Sequence, residues 1–482
     1  MNFVVFNPDE LRAESVSCYG HPFVKTPNID RLAEEGVKFE NCFVQNPVCT
    51  PSRCSFMTGL YVHNSGHRSL WNLLKSYEPN LLKYLKKSGY DVAWYGKNDL
   101  LAEESFEESV TYTENFSNPG GKNYYKRGEK SLKDFYTFLA EPFDRIEDSI
   151  DYLYVKRGCE FIEAEHKKPF FLFLPIGKPH PPYTAPKEFY NLYDKFNIDY
   201  LRPEKNNAPL FHSYIKEYRE LNSQNDDLFK KIQSVYLASI SYVDYLLGMV
   251  IDSIERAGLS DDTAIIFFSD HGDYAGDYKL VEKWPNGMED VLTRVPFIIS
   301  VPGNKKGTSV KEPVELFDFF ATVMELAGVE ATHHHFSKSL VKQLYGEPAD
   351  PERYVFCEGG YDINQDDECF EGNPRFSDGL LNKESIYYPK AIVQQEHPES
   401  VCRTVMIRNL KYKYVKRTSG ENELYLLDND PREINNVYEQ YKDSDLIKSL
   451  ESELLNWYLK TADTISFDRD ARNKPENFVR KF

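Results

Sequence analysis

The chain has 482 residues, 41% apolar and 28% charged, with 27 Pro and 25 Gly spread along it. That length and balance fold without metal or disulfide staples, and exclude disordered, collagen-like and low-complexity classes. The formal net charge of −18 repels a phosphate backbone and an anionic bilayer alike, so neither nucleic acid nor a membrane is expected as a partner.

Met1 runs straight into the apolar Asn2-Phe3-Val4-Val5-Phe6 with no basic leader before it, so a cytoplasmic chain is expected. The longest apolar runs, such as Ala264 to Phe268, stop short of the roughly 18 to 20 residues that a bilayer span requires. Strands are predicted at 2–6, 38–44, 91–96, 170–176, 263–269 and 295–300, alternating with helices at 28–33, 147–166, 226–257 and 315–328. Thr26-Pro27 offers the first helix an N-cap and a first-turn proline, and Gly36 a stop. The alternation predicts an α/β domain over 1–350, with a mostly parallel sheet flanked by helices.

From 351 to 482 the pattern changes. Short strands near 353–357, 403–407, 411–415 and 423–427, then a helix at 444–460, predict a small α+β subdomain with an antiparallel sheet. Lys and Tyr alternate there, as expected of a sheet with one wet and one buried face. Cysteines at 18, 42, 49, 54, 159, 357, 369 and 402 form no CxxC pair, and most read as buried thiols. His333-His334-His335 fall in a predicted solvated loop, and His63 and His67 follow a helix end, where packing competes with a pocket role.

In open α/β sheets, ligands bind beyond the carboxyl ends of the strands. Asp9-Glu10, Lys97-Asn98-Asp99, Lys178-Pro179-His180 and Asp270-His271-Gly272-Asp273 each follow a predicted strand. Asp9, Glu10, Asp270 and His271 could supply oxygen and nitrogen ligands to one divalent cation. Carboxylates favour Ca²⁺ or Mg²⁺, and the imidazole leaves Mn²⁺ open. Cys49-Thr50-Pro51-Ser52-Arg53 opens a predicted helix that reaches toward Gly59, where Thr50 can cap, Pro51 suits the first turn, and free N–H groups attract an anion. Arg53, one turn in, offers a planar donor fork to an oxyanion.

Cys49-Thr50-Pro51-Ser52-Arg53, followed by Met57-Thr58-Gly59, resembles the signature of the formylglycine-dependent (type I) sulfatases of the alkaline phosphatase superfamily. Four further blocks resemble that family in order: Cys18 to Ala33, Pro179-His180-Pro181-Pro182-Tyr183, Ser269-Asp270-His271-Gly272, and Leu424 to Pro431. The resemblance spans essentially the whole chain. It implies a large alkaline-phosphatase-like α/β domain and a sulfate monoester substrate, with glycan sulfate the first expectation and aryl sulfate the second.

It also implies that Cys49 is oxidised to formylglycine by a formylglycine-generating or anaerobic sulfatase-maturating enzyme. One hydroxyl of the hydrated aldehyde attacks sulfur and displaces the alcohol; the second loses its proton, and the hemiacetal collapses to expel sulfate. By position in the motifs, Asp9, Glu10, Asp270 and His271 are the implied metal ligands. Arg53 orients the formylglycine, Lys97 and Lys283 hold sulfate oxygens, and His180 protonates the leaving oxygen.

The chain departs from the family at two places. Glu10 stands where many members have Asp or Gln, and Asp99 where many have His, so Asp99 is expected to act as a base or to bind a substrate hydroxyl. Phosphonate monoester and phosphodiester hydrolases of the same superfamily use the same parts on a similar tetrahedral centre; Lys97 favours sulfate. A non-catalytic ester-binding protein, with Cys49 left as a thiol, is the third reading. Acidic residues in the loops at 361–377 and 392–400 are expected to read sugar hydroxyls.

Overall fold

In the computed structural model, which describes residues 1–116, 136–195, 200–362 and 385–467, strand β1 (Asn2–Asp9) is buried along its whole length. Its side chains alternate between two apolar layers, Val4 and Phe6 on one and Phe3 and Val5 on the other, as a strand covered on both faces requires. With it, β2 (Val37–Phe43), β3 (Asp91–Trp94), β4 (Tyr112–Thr113), β5 (Phe170–Pro179), β6 (Thr263–Phe268), β7 (Arg294–Ser300), β8 (Thr308–Val310) and β9 (Val314–Glu315) form one sheet. Its order is β4-β3-β5-β1-β6-β7-β2-β8, with β9 also on β2. β1 runs parallel to β5 and β6, placing Val5 opposite Phe173 and Ile266, whereas β7 runs against both β6 and β2. Edge strands β4, β8 and β9 are two or three residues long, too short to leave a readable period in the sequence.

Helices α1 (Pro27–Glu35), α3 (Ile150–Glu163) and α4 (Asp226–Arg256) cover one face, and α2 (Cys49–Thr58) and α5 (Asp318–Ala327) the other. α4 is long and apolar enough to cross a bilayer, yet Leu237, Ile240, Val243 and Leu247 are wholly buried in the core. Thr26 stands at the N-cap of α1 but makes no capping bond with its side chain. Asp244 of α4 does so instead, accepting Asn28 N at 2.9 Å and Ile29 N at 2.8 Å. A cap supplied from 216 residues away leaves no local trace.

The second sheet is antiparallel, in the order β10 (Val355–Gly359), β11 (Thr404–Arg408), β12 (Tyr412–Arg417), β13 (Glu423–Leu426). Helix α6 (Tyr388–Glu396) precedes β11, and α7 (Asp445–Thr461) follows β13. Trp457 of α7 stacks on Phe356 of β10 at 4.6 Å and meets Tyr61 edge-on at 5.0 Å. One apolar cluster thus includes side chains of both sheets. The fold is the expected one: a large, mostly parallel α/β layer structure and a small antiparallel sheet with helices.

Two local expectations are corrected. β12 has no lysine-lined wet face at Lys413, which is fully buried and pairs with Asp290 at 2.9 Å and with Glu433; distant carboxylates take the place of water. The histidine run is not a solvated turn, since His333 Nε2 donates to Thr58 O and its Nδ1 accepts from Tyr84 Oη, both at 2.8 Å. Of the cysteines, Cys18 is only half-buried, Cys42, Cys49, Cys54, Cys159, Cys357 and Cys402 are buried free thiols, and Cys369 lies outside the described residues.

Candidate active site

β1, β5 and β6 end side by side, so the residues just beyond them share one crevice. Asp9 ends β1, and Glu10 follows in the left-handed region at φ 66°, which costs a non-glycine residue on the order of 1 kcal/mol. Tyr236 of α4 holds this turn, its hydroxyl donating to Glu10 O at 2.6 Å. Past β6, Asp270 Oδ1 accepts Glu10 N at 3.2 Å and His271 N at 3.0 Å, which locks the two strand ends together.

Cys49 is the first residue of α2, with Val48 at the N-cap and no side-chain cap. The Thr50 hydroxyl, expected to cap, is buried without a hydrogen-bond partner. Ser52 Oγ donates to Asp270 O at 2.6 Å and ties the helix to β6. The Cys49 thiol lies 3.6 Å from Asp9 Oδ1 and 3.2 Å from His271 Nε2. Burial, with Asp9 beside it, pushes this thiol well above its ordinary pKa, the reverse of what a thiolate nucleophile needs.

Arg53 is wholly buried. Its Nε donates to Asp270 Oδ2 at 2.8 Å and its Nη2 to Asp9 Oδ2 at 3.1 Å, so one guanidinium bridges β1 and β6. Lys97 Nζ lies 2.6 Å from Asp9 Oδ2 and 2.7 Å from Asp99 Oδ2. Burial opposes charge on Asp9, but Lys97, His180, Arg53 and His271 outweigh it and hold the carboxyl well below its usual range.

His180 follows β5. Its Nδ1 donates to Pro181 O at 2.5 Å, so Nε2 faces Glu10 Oε1 at 3.2 Å and Lys283 Nζ at 3.3 Å. Burial, with Lys283 and Lys97 close by, holds this imidazole well below its ordinary pKa. Lys283, itself buried, pairs with Glu10. All ten residues singled out from the sequence therefore meet in one crevice: Asp9, Glu10, Cys49, Arg53, Lys97, Asp99, His180, Asp270, His271 and Lys283.

Two overlapping donor sets could hold a cation: Asp9, Cys49, Asp270 and His271, and Asp9, Glu10, Cys49 and His180, the donor atoms in each lying within 4.8 Å of one another. His271 Nδ1 donates to Gly272 O at 2.9 Å, which leaves Nε2 bare as a ligand. Glu10 Oε2 is buried with no hydrogen-bond partner. Each set offers two carboxylates and an imidazole beside the Cys49 sulfur; the carboxylates fit a hard divalent cation and the imidazole leaves Mn²⁺ open.

Other expectations fall outside this crevice. Residues 363–377 lie outside the described residues, and 392–400 is largely helix, where Glu396 and Glu399 accept from Tyr218 Oη at 2.5 Å and Tyr214 Oη at 3.1 Å. His63 packs on Glu358 at 2.7 Å and His67 on Glu78 at 2.8 Å. Sequence reasoning misses Ser52 and Tyr236, whose partners lie 218 and 226 residues away. It also misses a cavity of about 230 Å³ beside Lys97 and His180, lined by Phe143, Asp151, Lys178 and Thr184.

The Sulfatase family model matches residues 1–329. The iduronate 2-sulfatase of Mus musculus is 27% identical over 529 residues, covering 93% of this chain and 93% of that protein. The ulvan-active sulfatase of Formosa agariphila is 26% identical over 493 residues, covering 99% of this chain and 84% of that one. The phosphonate monoester hydrolase of Agrobacterium radiobacter shares the fold, with a TM-score of 0.74 at 20% identity over 95% of this chain and 96% of that one. The family match and the named relatives lead to one conclusion: the chain belongs to the sulfatase family and is a sulfuric ester hydrolase.

Proposed function

We propose that the chain hydrolyses a sulfate monoester of a sugar, using a formylglycine made from Cys49 and one divalent cation. The observation that carries this reading is the position of Cys49 Sγ, 3.6 Å from Asp9 Oδ1 and 3.2 Å from His271 Nε2, at the head of a helix whose Arg53 bridges Asp9 and Asp270. A buried, unactivated thiol among carboxylates is a poor nucleophile, whereas a hydrated aldehyde supplies two hydroxyls on one carbon, one to take the sulfuryl group and one to release it.

Asp9, Glu10, Asp270 and His271 hold the cation, which lends positive charge to the reacting oxygen. Three carboxylates and an imidazole suit Ca²⁺ first, with Mg²⁺ or Mn²⁺ as alternatives. Arg53 fixes residue 49. Lys97 and Lys283 meet the charge that grows on the sulfate oxygens. His180 delivers the proton to the departing oxygen, a contribution of roughly 10²–10⁴ in rate; neutral in the free site, it takes up that proton when the bound anion offsets Lys97 and Lys283. The alcohol leaves into the cavity beside Lys97 and His180, where Asp99 accepts a substrate hydroxyl. Relatives named for iduronate and ulvan support a sugar as that alcohol. Because Cys49 is 1% exposed, the maturation enzyme must reach it before the crevice closes.

Mass spectrometry of the tryptic peptide Phe39–Arg53, from protein made in its own cell, tests the reading. An aldehyde at residue 49 is expected; an intact thiol overturns it and restores the ester-binding alternative. Comparing kcat/KM on matched aryl sulfate and phosphonate esters separates the superfamily's two chemistries, and a preference for phosphonate removes the sulfate reading.

A further inference from the structure

Lys283 lies in a loop with unusual backbone: Ala275, Tyr278, Lys279 and Glu282 all have positive φ, with Glu282 at 61°. Such conformations in non-glycine residues cost on the order of 1 kcal/mol each and persist where the surroundings fix them. Glu282 is fixed on every side. Its N–H donates to Tyr183 Oη at 2.8 Å, and that hydroxyl donates to Asp273 Oδ1 at 2.7 Å. Its carbonyl accepts Tyr274 N at 3.1 Å. Its carboxylate, 1% exposed, accepts Lys390 Nζ at 3.0 Å and lies 3.3 Å from Lys283 Nζ and 3.8 Å from Arg219 Nη2.

Charge explains why this glutamate needs so many cations. Lys283 already pairs with Glu10, and a second carboxylate at 3.3 Å would by itself cancel the charge that an incoming anion is to meet. Lys390 and Arg219, both 2% exposed on their side chains, restore the balance. One carboxylate shared among three cations is a fixed anchor for Lys283 without being a neutralising partner, and an ammonium held in place loses less freedom when the anion arrives.

We infer that Glu282 and Lys390 form a positioning pair that aims the Lys283 ammonium at the tetrahedral anion, with Lys390 supplied from α6 beyond the family-matched part of the chain. The inference rests on the proposed role of Lys283 in holding that anion.

The test uses the matured, Ca²⁺-loaded full chain, with inorganic sulfate affinity by calorimetry and kcat and KM on 4-nitrophenyl sulfate. Glu282→Gln and Lys390→Met are made singly, and Glu282→Gly with Lys390→Met together. The pair of changes removes one anion and one cation and gives the left-handed position the residue that adopts it freely; it still leaves the buried Arg219 without that carboxylate, so the melting temperature is expected to drop less than in Glu282→Gln alone, and affinity and turnover are read well below it. Sulfate affinity and kcat/KM should fall roughly ten- to a hundredfold, the scale of a ~1 Å misplacement. On a Lys283→Ala background the same pair should cost less than about threefold, because its effect passes through Lys283. Undiminished losses on that background, or no loss when Lys283 is present, overturn the positioning pair. Wild-type sulfate affinity and turnover in Lys283→Ala itself instead overturn the role of Lys283.

Discussion

At Arg53, a guanidinium with no exposed surface spans two carboxylates that meet only in the folded chain. Removing one partner of a buried ion pair strands the other at about 3–5 kcal/mol, and here Arg53→Met strands Asp270, while Asp9 keeps Lys97 at 2.6 Å. In chelator, that variant should lose about this much stability in urea. Added Ca²⁺ should restore a larger share in the variant than in the wild type, because a cation bound only by the folded state takes over the neutralisation. Equal gains in both proteins would mean that no cation sits between Asp9 and Asp270. His180 offers a second measurement. His180→Ala should lower kcat by roughly 10²–10⁴ on an alkyl sulfate and far less on 4-nitrophenyl sulfate, whose leaving group needs little proton help; equal losses on both would strip His180 of the acid role. That these residues gather in one crevice is legible in the sequence because strand ends collect them and because a five-residue signature marks Cys49. Ser52, Tyr236 and the Glu282–Lys390 pair are not, since hydroxyls and charges at these positions have no local pattern and their partners are brought together only by the fold.

Among the elements, the strands and helices with a strong period are those legible in advance, and their ends are where local reading fails. α1 shows why. A Thr-Pro pair announces a capped start, but the Thr26 hydroxyl accepts Ser17 N at 3.1 Å instead, and Asp244 on α4 supplies the cap. Burial raises the Asp244 carboxyl from 3.8 to about 7, although the donors of Ile29 and Asn28 pull the other way. A group whose pKa is higher in the folded state gives a contribution that is full below its unfolded pKa and lost as pH rises through the folded one. The stability of the wild type should therefore fall, relative to Asp244→Asn, as pH rises from about 4 to about 7. The Asn side chain keeps an oxygen for Asn28 N and Ile29 N, so the cap itself survives the substitution. Urea midpoints of both proteins across this window give the answer, and a constant difference refutes it.

Across the whole molecule, two sheets of opposite character are joined by apolar packing and by buried charge. Lys413 of β12 reaches Asp290 at 2.9 Å and Glu433, while Arg408 of β11 meets Asp290 at 2.9 Å. Asp290 N also donates to Glu433 Oε2 at 2.7 Å. Two residues further, Leu292 O accepts Gly272 N at 2.8 Å, immediately after the proposed ligand His271. The small sheet thereby braces the loop that carries half of the proposed metal donors, an arrangement hidden in the sequence because a lysine in a strand reads as solvent-facing. The change of pattern after about residue 350 is visible in the sequence, but the packing that joins the two sheets is not. Lys413→Met leaves Glu433, with no exposed surface, beside the carboxylate of Asp290, at a cost of about 3–5 kcal/mol. Lys413→Met with Glu433→Gln removes the orphaned charge, so the double variant should unfold at higher urea than the single one despite carrying two changes. Activity should follow the same order if the brace sets the position of His271. A double variant less stable than the single would show that Glu433 is held by something other than Lys413.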